Sequence, residues 1–422
     1  MSLLKKILLR AFLKSAIIVC TLLLCVLSAS IIRLELFDHQ ESVPTAAPIS
    51  AKDTQTRHRQ NRPATDNAGI DNALTDNSLT GSPEKNSTQE GASSKHAGFG
   101  RQESDPEKTT LLFAGDVYFS DYVLAAYQQS GIRGVIGASL LTQMKQADIT
   151  MVNNEFPYST RGTQAPDKQF TFRIDPAYIS LLAESGVDIV TLANNHVLDY
   201  GTEALSDTFQ TLDDAGIAYA GAGNSVKRAE KLILKKAGGK TFGFLAASRV
   251  FPVASWNVEN QAPGVLSAYD PSRLLAAVSA ARSHCDYLFV YVHWGIERNT
   301  APEPYQADLA HALVDAGADA VIGAHPHVLQ GVEMYRDKPI FYSLGNFIFY
   351  QSIPQTAAAK LSIGADGAMR WQLLPARADN ACTSLVTDEA ARRQFYQSME
   401  ALSVNVRFTD RGIIKPQTGS QG

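Results

Sequence analysis

The chain has 422 residues, a net charge of −4 at pH 7 and a pI near 6.2. A mildly acidic chain without a basic patch lacks the charge distribution that proteins use to bind nucleic acid, so nucleic acid is excluded as a partner. The length would allow two or three domains, but the composition is so uneven that only about two thirds of the chain is expected to fold.

Residues 15–32 form an uncharged apolar segment near the start of the chain. The basic residues Lys5, Lys6, Arg10 and Lys14 come before it. It is just long enough to cross a bilayer, since a hydrocarbon core of about 30 Å needs roughly 20 helical residues. Basic residues before such a segment keep the amino terminus inside. We therefore predict a cytoplasmic tail at residues 1–14, a transmembrane signal anchor at 15–32 and a single-pass cell-membrane protein whose remainder is extracytoplasmic. The alternative is a signal peptide that is cleaved near Ser30.

The next segment, residues 33–108, is rich in Ser, Thr, Asn, Gln, Gly and Pro and has scarcely an aromatic residue. Such a composition cannot bury enough apolar surface to offset the entropy of ordering, so it predicts a disordered linker. Its random-coil reach is on the order of 50 Å. Two cysteines, Cys285 and Cys382, lie beyond the linker, and the sequence leaves open whether they pair.

Apolar runs alternate with amphipathic helical stretches from residue 109 onwards. Helices are expected at residues 177–186, 202–216 and 307–317, each with a strand after it or before it. This alternation predicts an α/β domain with a parallel or mixed sheet. Two strands around a Gly-bounded turn at residues 364–367 and a late helix at 389–402 follow, so the domain is expected to span residues 109–410.

Polar side chains follow five of the apolar runs, and these side chains are the candidates for chemistry. They are Asp116, Glu155, Asn195 with His196, His293, and the pair His325 and His327. Strand ends of this kind meet at one edge of a sheet, where open α/β folds place their active sites. Residues two apart on an extended segment face the same way, so the last two histidines are expected to point together.

The mixture of carboxylate, amide and imidazole fits divalent Mn, Zn or Fe, in a site that holds two ions. The metal-ligand candidates are Asp116, Glu155, Asn195, His293, His325 and His327. His196 remains as a catalytic proton donor for a leaving group. Each assignment has an alternative: a lone Asp or Asn after a strand is more often a cap or turn residue, and His293 could be a core histidine.

Six ordered motifs lie between about residues 111 and 349. They are Ala114-Gly-Asp116, Asn153-Asn-Glu155, Ala193-Asn-Asn-His196 with Asp199-Tyr-Gly201, Val292-His-Trp-Gly295, Gly323-Ala-His-Pro-His327 and Ser343-Leu-Gly-Asn-Phe347. With them the chain resembles the poly-gamma-glutamate capsule-synthesis (CapA) family, whose fold is similar to the calcineurin-like metallophosphoesterases. The resemblance implies a four-layer α/β/β/α sandwich, which here would follow the transmembrane helix and the disordered linker.

The resemblance also implies a role for each site residue. Asp116 and His327 would hold one metal ion, and the second ion would be held by Asn195, His293 and His325. Glu155 would bridge the two ions. The phosphoesterases usually have a further histidine two residues after the first aspartate, where this chain has Tyr118.

The function implied by the resemblance is synthesis, export or anchoring of an anionic surface polymer such as poly-gamma-glutamate. The expected partners are the membrane, subunits of a polymer synthase or export complex, and an anionic polymer or phosphoester substrate. An active site of this kind would make the protein a metal-dependent hydrolase. Two alternatives remain: a non-catalytic partner subunit of a membrane polymer synthase complex, and a general metal-dependent phosphoesterase.

Overall fold

The computed structural model describes residues 108–260 and 263–417. Within these ranges the α-helices are α1 (Asp121–Ser130), α2 (Ile132–Val135), α3 (Ala138–Gln146), α4 (Ile179–Ser185), α5 (Gly201–Asp214), α6 (Val226–Ala229), α7 (Ser272–Ala281), α8 (Pro304–Asp315) and α9 (Glu389–Leu402). Short 3-10 helices occupy Pro176–Tyr178, Ala254–Trp256 and Arg282–His284. The helices that were expected at residues 177–186, 202–216, 307–317 and 389–402 are α4, α5, α8 and α9.

The strands of the same ranges follow in chain order. They are β1 (Lys108–Val117), β2 (Ile149–Asn154), β3 (Ile189–Thr191), β4 (Ala218–Ala220), β5 (Ala222–Gly223), β6 (Ile233–Ala237), β7 (Lys240–Ser248), β8 (Gly264–Val265), β9 (Tyr287–His293), β10 (Ala320–Ala324), β11 (Val332–Tyr335), β12 (Lys338–Phe341), β13 (Asn346–Ile348), β14 (Ile353–Gly364), β15 (Met369–Asp379), β16 (Cys382–Leu385), β17 (Val406–Phe408) and β18 (Ile414–Pro416). The hairpin that was expected around residues 364–367 is β14–β15.

Most of the described strands form two mixed sheets. The first has eight strands in the order β16-β15-β14-β1-β2-β3-β4, with β13 paired to the end of β1. Its β1 to β4 portion is parallel, whereas β14, β15 and β16 are antiparallel. The second has six strands in the order β11-β12-β10-β9-β7-β6, parallel from β12 to β7. The sequence prediction of a parallel or mixed sheet is confirmed.

The two sheets pack face to face, with helices on both outer faces. β1 illustrates the arrangement, because its successive side chains alternate between two cores. Leu111 and Phe113 point into the layer between the sheets, where the Phe113 ring lies 5.2 Å from that of Phe289 in β9. Leu112 and Ala114 belong to the core under α1, α3, α4 and α5. Burial on both faces explains why β1 is a continuous apolar run instead of an alternating one.

Helices α7 and α8 cover the second sheet. Leu274 and Leu313 from these helices pack with Val290 and Val321 of the sheet, in a core separate from the inter-sheet layer. The described layers therefore run helix, sheet, sheet, helix. Ile414 in β18 is also buried in the inter-sheet core, so the packed structure continues beyond the expected boundary at residue 410.

The carboxyl ends of the parallel strands meet at one end of the sandwich. Asp116 in β1 is in register with Asn153 in β2, and Ala324 in β10 is in register with His293 in β9. The Tyr291 hydroxyl crosses between the sheets and donates to the Ala114 carbonyl at 2.7 Å. This end of the fold therefore brings polar residues from both sheets together.

No helix within residues 108–260 and 263–417 is both long enough and apolar enough to cross a membrane. The transmembrane helix predicted at residues 15–32 lies outside the described residues, as does the predicted linker apart from Lys108, which begins β1. Cys285 and Cys382 are both free thiols.

Candidate metal centre

All the predicted site residues lie at strand ends, or in the loops that follow them, at the same end of the sandwich. Asp116 is the penultimate residue of β1, and Glu155 directly follows β2. His293 is the last residue of β9. The remaining candidates lie in loops: Asn195 and His196 follow β3, and His325 and His327 follow β10.

Glu155 lies at the centre of the site and is fully buried. Its Oε1 is 3.5 Å from His293 Nε2 and 4.0 Å from His327 Nε2, yet neither carboxylate oxygen accepts a hydrogen bond from a described residue. Burial, together with the negative charge of Asp116, raises the pKa of Glu155 well above its usual range. A buried carboxylate without hydrogen bonds is costly unless a cation compensates it.

Two groups of side chains could each hold an ion, and they share Glu155. One group combines Glu155 with His293 and His325, and the other combines it with Asp116 and His327; within each group the donor atoms lie within 4.8 Å of one another. A carboxylate common to two sets of donors is the arrangement that a bridging ligand requires. The donor set fits divalent transition ions.

Asn195 faces the first of these groups. Its side-chain Oδ1 lies 2.8 Å from His293 Nε2. The amide oxygen and the imidazole nitrogen therefore converge on one point, as two ligands of one ion would.

The conformation of the His325 and His327 pair differs from the sequence prediction. The prediction that both residues lie on an extended segment is wrong, because β10 ends at Ala324 and the two histidines have φ values of 98° and 59°. Both backbones are in the left-handed region, which L-residues adopt rarely and which often marks functional sites. The turn nevertheless brings both imidazoles to Glu155 and Glu297.

His327 is oriented by Asn346, whose Oδ1 lies 2.8 Å from His327 Nδ1. In the neutral ring that binds a metal ion, an Nδ1–H that donates to the amide oxygen leaves the lone pair on Nε2, which is 4.0 Å from Glu155 Oε1. Burial would lower the pKa of His327, but the charges of Glu155 and Asp116 raise it to about 10. The loop that carries Asn346 approaches β1 closely: Asp116 N donates to the Gly345 carbonyl at 2.9 Å, and a Cβ on Gly115 would lie 1.8 Å from that oxygen.

His325 and His293 are imidazoles that burial keeps neutral. Burial lowers the pKa of His325 to about 3, and it lowers the pKa of His293 well below the usual range. The Nδ1 of His325 is buried and has no hydrogen-bond partner among the described residues. A neutral imidazole with an unpartnered nitrogen is the form that binds a metal ion.

His196 is positioned by Asp199 and Phe172. Its Nδ1 lies 2.7 Å from Asp199 Oδ2, and its ring stacks on Phe172 with 4.1 Å between centroids. Asp199 also accepts a hydrogen bond from Phe172 N at 2.7 Å, so it fixes the loop behind His196. Burial lowers the pKa of His196, although Asp199 opposes the shift.

Lys168 is a site residue that the sequence did not indicate. Its Nζ donates to the Asn195 carbonyl at 2.5 Å and to the Asp199 carboxylate, and it lies 3.0 Å from His196 Nδ1. It comes from the irregular segment between β2 and α4, where no motif marks it. Arg161, in contrast, pairs with Asp207 on the surface.

Two buried asparagines connect the strand ends. Asn194 Nδ2 donates to Asn153 Oδ1 at 3.0 Å, and Asn153 Nδ2 donates to Asp116 Oδ1 at 2.7 Å. The direction of this chain is fixed, because Asn194 Nδ2 also donates to the Asn154 carbonyl at 2.8 Å. Both asparagines stand inside the sequence motifs, but only the structure reveals that they position Asp116.

Tyr118 occupies the position at which the phosphoesterases usually have a histidine. It stacks on Phe172 with 3.9 Å between centroids. Burial, with a contribution from Asp121, raises its pKa to about 12, so its phenol is neutral. Tyr118 therefore contributes to an aromatic stack with Phe172 and His196.

Comparisons with known proteins agree with the motifs. Residues 110–351 match the family model described as Bacterial capsule synthesis protein PGA_cap. The chain is 30% identical over 303 residues to the Capsule biosynthesis protein CapA of Bacillus anthracis, which covers 69% of this chain and 73% of that protein. It is 31% identical over 307 residues to the PGA biosynthesis protein CapA of Bacillus subtilis, with 70% of this chain and 80% of that protein covered.

One solved structure with some similarity is the sulfate thiohydrolase SoxB of Thermus thermophilus in complex with glycerol. The match covers 65% of this chain and 57% of the SoxB chain, at 13% sequence identity and a TM-score of 0.39. So low a TM-score supports no inference about fold or activity. The family model, in contrast, spans more than half of this chain, and both CapA relatives are matched over more than two thirds of their length. The resemblance drawn from the motifs is thereby confirmed, and the chain belongs to the bacterial capsule synthesis protein family PGA_cap, the CapA family.

Proposed function

We propose that this protein is a membrane-anchored, extracytoplasmic capsule-synthesis protein that acts in the synthesis, export or anchoring of an anionic surface polymer such as poly-gamma-glutamate. Its family membership and the names of its CapA relatives support the pathway. The observation that carries the chemistry is Glu155, a buried carboxylate without hydrogen bonds that two groups of ligand-type side chains share. It supports a dinuclear metal site in a fold of the metallophosphoesterase type.

The geometry supports the ligand sets that the family resemblance implies. Asp116 and His327 would hold one ion, and Asn195, His293 and His325 would hold the other, with Glu155 between them. Mn, Zn or Fe suit this mixture of oxygen and neutral nitrogen donors. Bound ions would supply Lewis acidity at a phosphoryl or acyl group of the substrate.

His196 is the proton donor of the proposed reaction. Its Nδ1 is committed to Asp199, so Nε2 is the nitrogen that exchanges a proton with the leaving group. The stacked Phe172 ring fixes the plane of the imidazole, and Lys168 holds Asp199 from the other side. Both Asp199 and His196 are buried, which limits the access of bulk water to the donor.

The proposed location rests on the sequence alone. An anchor at residues 15–32 would hold the protein in the cell membrane, and the linker at residues 33–108 would let the domain reach polymer on the order of 50 Å away. Subunits of a polymer synthase or export complex are the partners that this location favours.

The test uses the full-length protein purified in detergent. His325→Ala and His327→Ala should each lower the bound metal measured by elemental analysis after loading with Mn or Zn. His196→Ala should keep its metal while hydrolysis of the polymer or of an aryl phosphate ester falls roughly 10² to 10⁴-fold, because a proton donor can be lost without emptying the site.

His284→Ala is the matched control, because His284 is exposed and lies on the 3-10 helix Arg282–His284, before the start of β9 and so at the opposite end of that strand from His293. It should match the wild type in metal content and in turnover. A wild type that holds no transition metal after loading would refute the metal site. Metal without any turnover would favour a non-catalytic subunit, and hydrolysis of the aryl phosphate alone would favour a general phosphoesterase.

A further inference from the structure

Glu297 is a carboxylate beside the metal centre that the sequence motifs did not single out. It lies in the loop after β9, four residues beyond His293, and its side chain is exposed. Its carboxylate and ring nitrogens of His325 and His327 lie within 4.8 Å of one another. A third group of ligand-type atoms therefore adjoins the two groups that share Glu155.

The backbone holds this loop against the histidine turn. Trp294 N donates to the Ala324 carbonyl at 3.0 Å, and Arg298 N donates to the Pro326 carbonyl at 2.8 Å. These hydrogen bonds flank Glu297 on both sides in sequence and tie its loop to the segment that carries both imidazoles. The position of Glu297 near the histidines is thus set by main-chain contacts and does not depend on a flexible side chain alone.

The ligand sets leave room for another donor. The group of Asp116, Glu155 and His327 offers three side chains. The metallophosphoesterases that the chain resembles usually have a further histidine at the position of Tyr118. Tyr118 does not fill that place, because its ring is stacked on Phe172 with 3.9 Å between centroids. Divalent transition ions with oxygen and nitrogen ligands commonly bind four to six donor atoms. A carboxylate on the solvent side would therefore supply a donor that the three side chains lack.

The charge at the opening of the site also favours a metal-binding role for Glu297. Among the described residues Glu297 has no ion-pair partner, although it lies at the opening of the site. An uncompensated carboxylate there would repel an anionic polymer or a phosphoester. A carboxylate bound to a divalent ion no longer carries that penalty, so ligation makes its position compatible with an anionic substrate.

We propose that Glu297 is a further carboxylate ligand of the metal centre, held next to His325 and His327 at its solvent side. This proposal rests on the proposed metal site and adds a ligand that the family resemblance did not imply. It assigns Glu297 to metal retention, which is measurable without any knowledge of the substrate.

The test measures metal binding to the full-length protein in detergent. Glu297→Gln keeps the size of the side chain and removes its charge, Glu297→Asp keeps the carboxylate on a shorter stem, and Glu389→Gln is a control at an exposed position on α9. Titration calorimetry with Mn²⁺ gives the affinity, elemental analysis after dialysis gives the stoichiometry, and far-UV circular dichroism checks that each variant is folded.

Glu297→Gln should weaken Mn²⁺ binding at one site at least about 10-fold, since even residues that merely support ligands contribute roughly 10- to 100-fold. Glu297→Asp should bind more tightly than Glu297→Gln, and Glu389→Gln should match the wild type. Unchanged affinity and stoichiometry in Glu297→Gln, with a wild type that binds metal, would overturn the role of Glu297 alone. A wild type that binds no metal would overturn this role together with the proposed site.

Discussion

Replacing Glu155 by glutamine should make the metal-free protein more stable than the wild type and should reduce the stabilisation that the protein gains from bound metal. Glu155 is fully buried, its oxygens have no hydrogen-bond partner among the described residues, and Asp116 lies beside it. An amide is much less costly to bury than a charged carboxylate. The substitution therefore removes a destabilising ionisable group and the proposed bridging ligand at the same time.

The direction of the pKa shift sets an upper limit on the first effect. In the unfolded chain Glu155 ionises near its ordinary pKa of 4.5, while burial keeps the folded carboxyl protonated to higher pH. The metal-free wild type therefore loses stability as pH rises above 4.5, and the glutamine variant does not. Roughly 2.5 units separate that pKa from pH 7, at about 1.4 kcal/mol per unit, so the variant gains at most about 3 to 4 kcal/mol at pH 7. That corresponds to a melting temperature higher by on the order of 5 °C.

The second effect has the opposite sign. A ligand at 100 times its Kd stabilises the folded state by about 2.7 kcal/mol, and the variant should lose most of this gain. Thermal unfolding followed by circular dichroism, at pH 5 and pH 7 in EDTA and in saturating Mn²⁺, measures both effects, with Glu389→Gln as the control. A Glu155→Gln protein that is less stable than the wild type in EDTA, or that gains as much from Mn²⁺, would falsify this reasoning.

Two further predictions concern the membrane topology and Lys168. Protease added to intact spheroplasts should remove the domain, because the basic residues before residues 15–32 keep the amino terminus inside; a protected domain, or a soluble protein shortened near Ser30, would contradict the anchor. Lys168→Met should lower the free energy of unfolding by about 3 kcal/mol, because it leaves the buried Asp199 without its cation. Metal content should stay at the wild-type level, and unfolding at an unchanged denaturant concentration would argue against this role of Lys168.

The fold follows largely from local patterns. A run such as residues 111–114 is apolar at every position, which suits a strand that is buried on both faces, and the helical stretches end at glycines such as Gly186, whose φ is 78°. These signals are local, so α4, α5, α8 and α9 and the β14–β15 hairpin could be predicted. The pairing of fourteen strands into two stacked sheets depends on contacts between distant segments, and it entered the prediction only through the family resemblance.

Some residues of the site were indicated by local sequence patterns, and others depend on tertiary contacts. Strand-end polar residues indicated Asp116, Glu155 and the histidines, because parallel strands bring their carboxyl ends to one edge. Lys168 and Glu297 come from loops whose course depends on tertiary contacts, and no periodicity marks them. The extended geometry expected for His325 and His327 was wrong, because the chain turns sharply after Ala324 and both residues have positive φ.

The sequence by itself determined which residue types this protein can bring to a reaction, and at which strand ends, since an apolar run followed by a ligand-type side chain is a local property. Only the tertiary structure decided how these side chains meet. Packing of the two sheets places Glu155 between two groups of donors and removes both of its oxygens from water. Burial of that kind sums contacts from the whole domain, so no local stretch of sequence encodes it.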